Sequence, residues 1–161
     1  MARSARISLD AGDIRILREL QRDASRPVAE IAKAVGMSQT PCWRRIKRLK
    51  DAGVIRQTVA LLDRRLLGLD FVAYAFVKLA LPSRANMEAF DRLVATWPEV
   101  LFCERVTGAV DYLIKVVVED MSAYDEFLRY RLLDQEMVSD VQSRIVIATS
   151  KDTTELPVWD D

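Results

Sequence analysis

Histidine is absent from this chain of 161 residues, and only two cysteines occur in it. The lack of histidine removes the commonest general base, the usual partner of a catalytic serine or cysteine, and the commonest transition-metal ligand. Cys42 and Cys103 lie far apart, each in an apolar pattern, so we interpret them as small core residues rather than a disulfide or a metal pair. These absences argue against an enzyme, a metal site and a bound cofactor.

Long apolar runs and a net charge are also absent. No stretch approaches the roughly 18 apolar residues of a membrane-spanning helix, and Asp10 and Asp13 follow the N-terminus where a signal segment would be apolar. We therefore expect a cytoplasmic protein with no membrane partner. The zero net charge hides an asymmetry, because residues 1 to 65 hold 15 Lys and Arg against 7 Asp and Glu, and the rest hold 9 against 17. This asymmetry predicts a basic domain for a polyanion and an acidic domain with another role.

The basic half contains three short helical patterns. Asp10 is a good N-cap for the first helix, with Asp13 in a capping-box position. Pro27 opens a second helix, and after a turn at Gly36 a third helix begins at Ser38. The apolar stripes of the three helices are Ile14, Leu17 and Leu20, helped by Ile16, then Val28, Ile31, Ala32 and Val35, then Cys42, Ile46 and Leu49. These patterns predict a small three-helix domain.

The third helix, which Gly53 ends, has its positive charge opposite its apolar stripe. Two short helices joined by a tight turn, the second with outward Arg and Lys, are typical of a helix-turn-helix that binds double-stranded DNA. Trp43, on the flank of the stripe, is predicted to belong to the core. The candidate DNA-binding residues are Ser38, Gln39, Thr40, Arg44, Arg45, Lys47 and Arg48. Thr40, Arg44 and Lys47, with Gln39, are the candidates for base edges, and Arg45, Arg48 and Lys50 for phosphates.

Residues 54 to 61 alternate between apolar and polar types, which predicts a short strand. This strand would form the wing of a winged helix-turn-helix or pair with its copy in a second subunit. Residues 63 to 68 are the expected hinge. We therefore place a DNA-binding domain with its following strand at 1 to 62 and a second domain at 69 to 161.

The second domain shows strand and helix patterns in the order βαββαβ. The predicted strands cover 71 to 81, 100 to 106, 112 to 118 and 138 to 149, and the predicted helices cover 87 to 97 and 122 to 132, the latter with Ser122 as N-cap. This order is that of a ferredoxin-like fold, with both helices on one face of a four-stranded antiparallel sheet, and the whole chain is of the α+β class. Because the run 71 to 77 is apolar on both sides, the second face must be covered. We predict a homodimer packed sheet to sheet, which assembles into a tetramer or octamer.

Four segments at matching separations resemble the Lrp/AsnC family, the leucine-responsive or feast/famine transcriptional regulators of bacteria and archaea. They are Leu9, Asp10, Asp13, Ile16 and Leu17; Gly36 to Leu49 with Gly53, Val54 and Ile55; Gly108 to Leu113; and Lys151 to Pro157. The resemblance covers essentially the whole chain and implies a DNA-binding domain followed by an effector-binding, oligomerising domain. The family's effector, usually an amino acid, binds between subunits beside the turn that joins the second and third strands. For this chain the resemblance implies an effector site at Thr107, Gly108, Val110, Asp111 and Tyr112.

Other interpretations stand beside this one. The turn at Thr107 to Ala109 is alternatively a plain hairpin turn, with Asp111 as its hydrogen-bonding anchor. A sensor or assembly module that acts through a protein partner would not need the outward cations of the third helix, and an RNA-binding winged helix should show aromatic stacking surfaces. Some proteins that resemble the family are haem-precursor decarboxylases, but these use histidines. The chain departs from the family pattern at Pro27 and at Glu136 and Met137.

Overall fold

The computed structural model describes residues 7 to 158. These residues form two compact units, of which the first contains the described residues up to 61 and those from 151 onward, and the second contains residues 62 to 150. The regular structure of the first unit is helical, and the second unit combines helices with a four-stranded sheet. The predicted α+β class is therefore confirmed.

The first unit consists of α1 (Ala11–Arg22), α2 (Val28–Ala34) and α3 (Gln39–Asp51). The predicted capping box opens α1, because the carboxylate of Asp10 accepts from the backbone N–H of Asp13 at 2.9 Å and that of Asp13 accepts from the N–H of Asp10 at 3.1 Å. The core of the unit is built from the predicted stripes, and Ile16, which the sequence also places on the inner side of α1, is part of it. Its buried residues are Ile16, Leu17, Ile31, Ala32, Val35, Cys42, Ile46 and Leu49.

The C-terminal end of α3 has the geometry that its sequence predicts. Gly53 adopts a φ of 74°, in the left-handed region that favours glycine. Its N–H donates to the carbonyl of Lys50 and the N–H of Val54 to that of Leu49, both at 2.9 Å, which together form a Schellman motif. At the other end Ser38 is the N-cap residue, but its side chain makes no capping hydrogen bond.

The strand predicted over residues 54 to 61 is wrong for the single chain. Residues 56 to 63 have no regular secondary structure, so the three helices have no wing within the described chain. A strand needs a neighbour for its backbone hydrogen bonds, and no segment of the described chain pairs with this one. Ile55 packs against the helical core, whereas the later apolar side chains of the pattern are exposed, Val59 by 60% and Leu61 by 74%.

The C-terminal segment belongs to the first unit, whereas the sequence pattern predicts that it lies in the second domain. The side chain of Gln21 donates to the carbonyl of Leu156 at 3.1 Å and accepts from its N–H at 2.7 Å. The guanidinium of Arg18 donates to the carbonyl of Val158, and the side chain of Val158 packs against the helical core. Hydrogen bonds from side chains of α1 to the backbone of this segment hold it in place. Such contacts leave no periodic pattern, which is why the sequence did not predict its location.

The second unit has the predicted βαββαβ order. Its elements are β1 (Phe71–Leu79), α4 (Arg84–Val94), β2 (Val100–Arg105), β3 (Tyr112–Val118), α5 (Met121–Phe127) and β4 (Val138–Ile145). The strands lie in the order β2-β3-β1-β4, and all three neighbouring pairs are antiparallel. This arrangement is the predicted ferredoxin-like fold.

Details of the second helical region differ from the prediction. Asp120, not Ser122, is the N-cap of α5, and its carboxylate accepts from the N–H of Ala123 at 2.9 Å. Both residues are good caps, so the sequence alone does not separate them. After Phe127 the helix widens into a π-helical turn over Leu128–Leu132.

The two faces of the sheet differ in their surroundings. Alternate residues of β1 and β3 form the core of the second unit with α4 and α5, including Ala75, Ile114, Phe90 and Tyr124. The opposite, outer face carries aromatic side chains, and the rings of Tyr74 and Phe102 lie 6.0 Å apart there. The prediction that residues 71 to 77 are apolar on both sides agrees with the register of β1 in the sheet.

Candidate functional site

The turn between α2 and α3 fixes which side of α3 faces the core. Gly36 adopts a φ of 68°, and the N–H of Met37 donates to the carbonyl of Ala32 at 2.9 Å. The turn directs Cys42, Ile46 and Leu49 inward, so the opposite side of α3 is exposed. The exposed residues on α3 and its N-cap include Ser38, Gln39, Thr40, Arg44, Lys47, Arg48 and Lys50.

Two of the predicted DNA-binding arginines make ion pairs with α1. The Arg45 guanidinium lies 2.6 Å from a carboxylate oxygen of Asp10 and 2.8 Å from one of Asp13, and Arg48 pairs with the other oxygen of Asp13. Asp13 is fully buried. The Arg45 hydrogen bond, with that from the Asp13 N–H, lowers the pKa of Asp10 to about 2. The sequence indicated the capping box but not that the same carboxylates also bind α3.

Trp43 is not a core residue, and the prediction that placed it in the core is wrong. Its side chain is 51% exposed, and it belongs to neither hydrophobic cluster. The ammonium of Lys47, one helical turn later, lies 5.6 Å from the centre of the indole ring. A flank position on a three-helix domain has no second layer to cover a large ring, which is why the ring remains exposed.

The turn between β2 and β3 contains the residues implied as the effector site. Thr107 and Gly108 are exposed, with Gly108 at a φ of 119°, and Val110 is half-buried. Asp111 anchors the turn, because its carboxylate accepts from the N–H of Leu79 at 2.8 Å and its own N–H donates to the carbonyl of Val77 at 2.9 Å. The structure thus brings these four residues together on one turn, and Asp111 has the structural role that the alternative interpretation gave it.

Tyr112 points to the opposite side, into the core of the second unit. Its ring is buried 4.6 Å from that of Phe90, and its hydroxyl lies 3.1 Å from the carbonyl of Met87 and 3.0 Å from the carboxylate of Asp91. Burial, and then Asp91, raise the pKa of Tyr112 to about 12. Arg105 completes the cluster by pairing with Asp91. The side chain of Tyr112 is therefore bound within the fold and does not line the turn.

A cavity of about 290 Å³ lies beside this cluster, and sequence reasoning did not find it. Its lining combines one carboxylate with mainly apolar side chains and comes from α4, β2 and the connection between them: Asp91, Val94, Ala95, Trp97, Val100, Phe102 and Cys103. Burial raises the pKa of the Cys103 thiol to about 11, so the thiol is protonated at neutral pH. No motif in the sequence marks these residues, because they belong to the ordinary core pattern of the fold.

Residues 7 to 158 contain neither a membrane-spanning helix nor a metal-binding cluster. None of the helices there is both long and apolar enough to cross a bilayer. Within the same range, no cluster of three or more Cys, Asp or Glu side chains has the arrangement of a metal site.

Comparison with known proteins identifies both halves of the chain. The AsnC-type helix-turn-helix domain matches residues 9 to 50, and the Lrp/AsnC ligand binding domain matches residues 72 to 156. The leucine-responsive regulatory protein of Rhizobium meliloti (strain 1021) is 39% identical over 95% of this chain and 98% of its own length. The DNA-binding transcriptional activator DecR of Escherichia coli (strain K12) is 39% identical over 93% of this chain and 99% of its own.

A solved structure agrees with the fold. The crystal structure of a transcriptional regulator from Neisseria meningitidis in complex with L-Met superimposes with a TM-score of 0.90 at 39% identity, covering 93% of this chain and 97% of that one. The residues matched by the two family models account for the helix-turn-helix and for the sheet with its helices. The resemblance inferred from the sequence is therefore confirmed, and the chain belongs to the Lrp/AsnC family of DNA-binding transcriptional regulators.

Proposed function

We propose that this protein binds specific DNA sites through α3 and that an amino acid bound at a subunit interface controls this binding or the assembly of the protein on DNA. The observation that carries the proposal is the row of exposed cations on α3, opposite its buried stripe, in a matched helix-turn-helix. Arg44, Lys47 and Lys50 extend from the helix where a polyanion would meet it.

The proposed DNA contacts divide by chemistry. Thr40, Arg44 and Lys47, with Ser38 and Gln39 at the start of the helix, are proposed to meet base edges in the major groove. Arg48 and Lys50 are proposed to hold phosphates. We now assign Arg45 a positioning role instead of a phosphate contact, because it is only 31% exposed and pairs with two carboxylates of α1.

The effector is proposed to bind at the turn between β2 and β3. Backbone N–H groups near Gly108 suit an α-carboxylate, and the exposed side chain of Thr107 offers a further hydrogen bond. Asp111 and Tyr112 are proposed to act by holding the turn, since both make hydrogen bonds within the fold. The Neisseria meningitidis relative, crystallised with L-Met, supports an amino acid as the class of effector.

A second copy of the chain is proposed to cover the outer face of the sheet. The aromatic rings on that face, and the exposed apolar residues between 59 and 67, are surfaces that a homodimer would bury. In such a dimer residues 54 to 61 would pair with their copy, and two α3 helices would enter successive major grooves. We propose that dimers assemble further into tetramers or octamers.

The experiment that tests this function measures binding of the full chain to the DNA upstream of its own gene and to an unrelated fragment. Each is titrated over a salt series, with and without a mixture of amino acids. Preference for the upstream fragment that changes with the mixture supports the proposal. Equal binding to both fragments, with a salt dependence alone, would indicate nonspecific electrostatics and would contradict it.

A further inference from the structure

Trp43 is an exposed aromatic residue on the helix that is proposed to enter DNA. Half of its side chain is accessible, and it contributes to neither hydrophobic cluster. A partner that covered the exposed half of this ring would remove apolar area from water, which favours binding. Trp43 adds nothing to the core of the first unit, so its ring is available to whatever binds to α3.

The surroundings of Trp43 favour a polyanion over an apolar partner. Arg44 is its neighbour in sequence, Lys47 lies one turn away with its ammonium over the ring, and Lys50 lies two turns away on the same flank. Asp51 at the C-terminal end is the one acidic residue of α3. An apolar protein surface that covered Trp43 would desolvate these cations without neutralising them, whereas DNA neutralises them.

The position of Trp43 along α3 brings it close to base edges. It is the fifth residue of a helix that begins at Gln39, and the N-terminal residues of such a helix approach the bases most closely. The major groove offers one apolar group to a protein, the C5-methyl of thymine. The cation–π interaction with the indole ring also holds the Lys47 ammonium beside Trp43. Both groups would therefore approach the same base pair.

We propose that Trp43 is a specificity-determining residue that contacts a thymine methyl group in the major groove and holds Lys47 beside it. This inference rests on the proposed function, because it requires α3 to enter DNA. The proposed contact gives the protein a preference for a T·A pair at one position of its site. Hydrogen bonds from the side chains of α3 alone would not produce this preference.

The test is a double-mutant cycle that combines one change in the protein with one change in the DNA. A preferred duplex is first selected with the wild-type protein from a random pool, and each thymine in it is then replaced by uracil, which removes only the methyl group. Uracil at the contacted position should weaken wild-type binding by about fourfold. Trp43→Ala should weaken binding to the thymine duplex by about three- to tenfold and should show no uracil effect at that position.

Three controls make the outcomes distinct. Trp43→Phe, which keeps an aromatic face, should retain most of the uracil effect. Arg44→Ala should bind more weakly but keep the uracil effect at full size. Circular dichroism and sedimentation of Trp43→Ala should match those of the wild type, because the residue lies outside the core.

Wild-type affinity in Trp43→Ala, or the same uracil effect in both proteins, would overturn the inference. So would a loss of assembly in Trp43→Ala with the uracil effect intact, since this result would assign the ring to a protein interface. If the wild-type protein selects no preferred duplex at all, the proposed function fails, and the inference fails with it for that separate reason.

Discussion

The first unit places a carboxylate in its interior, whereas the second unit fills its interior with aromatic rings. Asp13 is the one charged residue that is buried in the described chain, and two arginines of α3 hold it. In the second unit Phe90 lies between Tyr112 and Trp97, with ring centres 4.6 Å and 6.2 Å away. The difference shows that the small unit adds directional ion pairs to its apolar core and so orients α3, while the larger unit relies on the burial of apolar and aromatic side chains.

The largest effect should come from the aromatic core. Phe90→Ala removes a fully buried ring and should lower the free energy of unfolding of the second unit by about 3 to 5 kcal/mol. Hydrogen exchange followed amide by amide would localise the loss to β1 and β3. Leu101→Ala, at an exposed position of β2, is the matched control and should change stability little. Loss of protection in α1 to α3 of equal size would contradict the division into two units.

The second-largest loss of stability should come from removal of the buried carboxylate in the first unit. Asp13→Ala removes half of the capping box and leaves Arg45 and Arg48 without their shared partner. The cost should be about 2 to 3 kcal/mol in the free energy of unfolding of the first unit, below the value for a fully buried pair because both arginines are partly exposed. Hydrogen exchange in α1 and α3 measures it. The control is Asp51→Asn on the exposed side of α3, and a similar loss in that variant would refute the special role of Asp13.

Both units could be predicted from local signals in the sequence. The pairings between side chains that are distant in the sequence could not. The capping box at Asp10, the left-handed Gly53 and the apolar stripes each act within a few residues, so the sequence contains all that fixes them. The pairing of Arg45 with Asp10 spans 35 positions, and the exposure of Trp43 depends on the absence of a second layer over α3. The strand predicted at 54 to 61 has the right pattern but no partner within the described chain.

The first unit also differs from the second in function, because α3 carries exposed cations that make no ion pair with α1 and are proposed to contact DNA. Arg44→Ala should weaken binding to a selected duplex by about 1 to 3 kcal/mol and relax its sequence preference, while leaving the fold of the first unit unchanged. Gel-shift titrations on the selected and base-substituted duplexes measure both effects. Lys50→Ala is the matched control for charge and should weaken all duplexes alike. Unchanged affinity and selectivity in Arg44→Ala would mean that α3 docks differently.

In the second unit the turn at Asp111 offers a smaller, functional test. Asp111→Ala removes the acceptor for the N–H of Leu79 and should cost about 1 to 2 kcal/mol in the free energy of unfolding. Because the turn then loosens, we expect DNA binding to persist and its response to the amino-acid mixture to disappear. Binding titrations with and without the mixture measure the response. A full response in Asp111→Ala would remove the turn from the effector site.

The smallest effect is in the acid titration of the first unit. The pKa of Asp10 lies at about 2 instead of 3.8, so the stabilising contribution of this group is complete above pH 3.8 and is lost as the pH falls through about 2. In Arg45→Met the pKa should rise part of the way to 3.8, because the hydrogen bond from the Asp13 N–H is kept. Carboxyl ¹³C NMR titration measures the shift directly.

Asp23 provides the internal reference for that titration. Its pKa is lowered by hydrogen bonds from Ser25, which Arg45 does not contact, and should therefore be the same in wild type and Arg45→Met. If Asp10 kept a pKa of about 2 in the variant, the capping hydrogen bond alone would account for the shift. The orientation of α3 would then rest on the ion pairs that the buried Asp13 makes with Arg45 and Arg48, and not on Asp10.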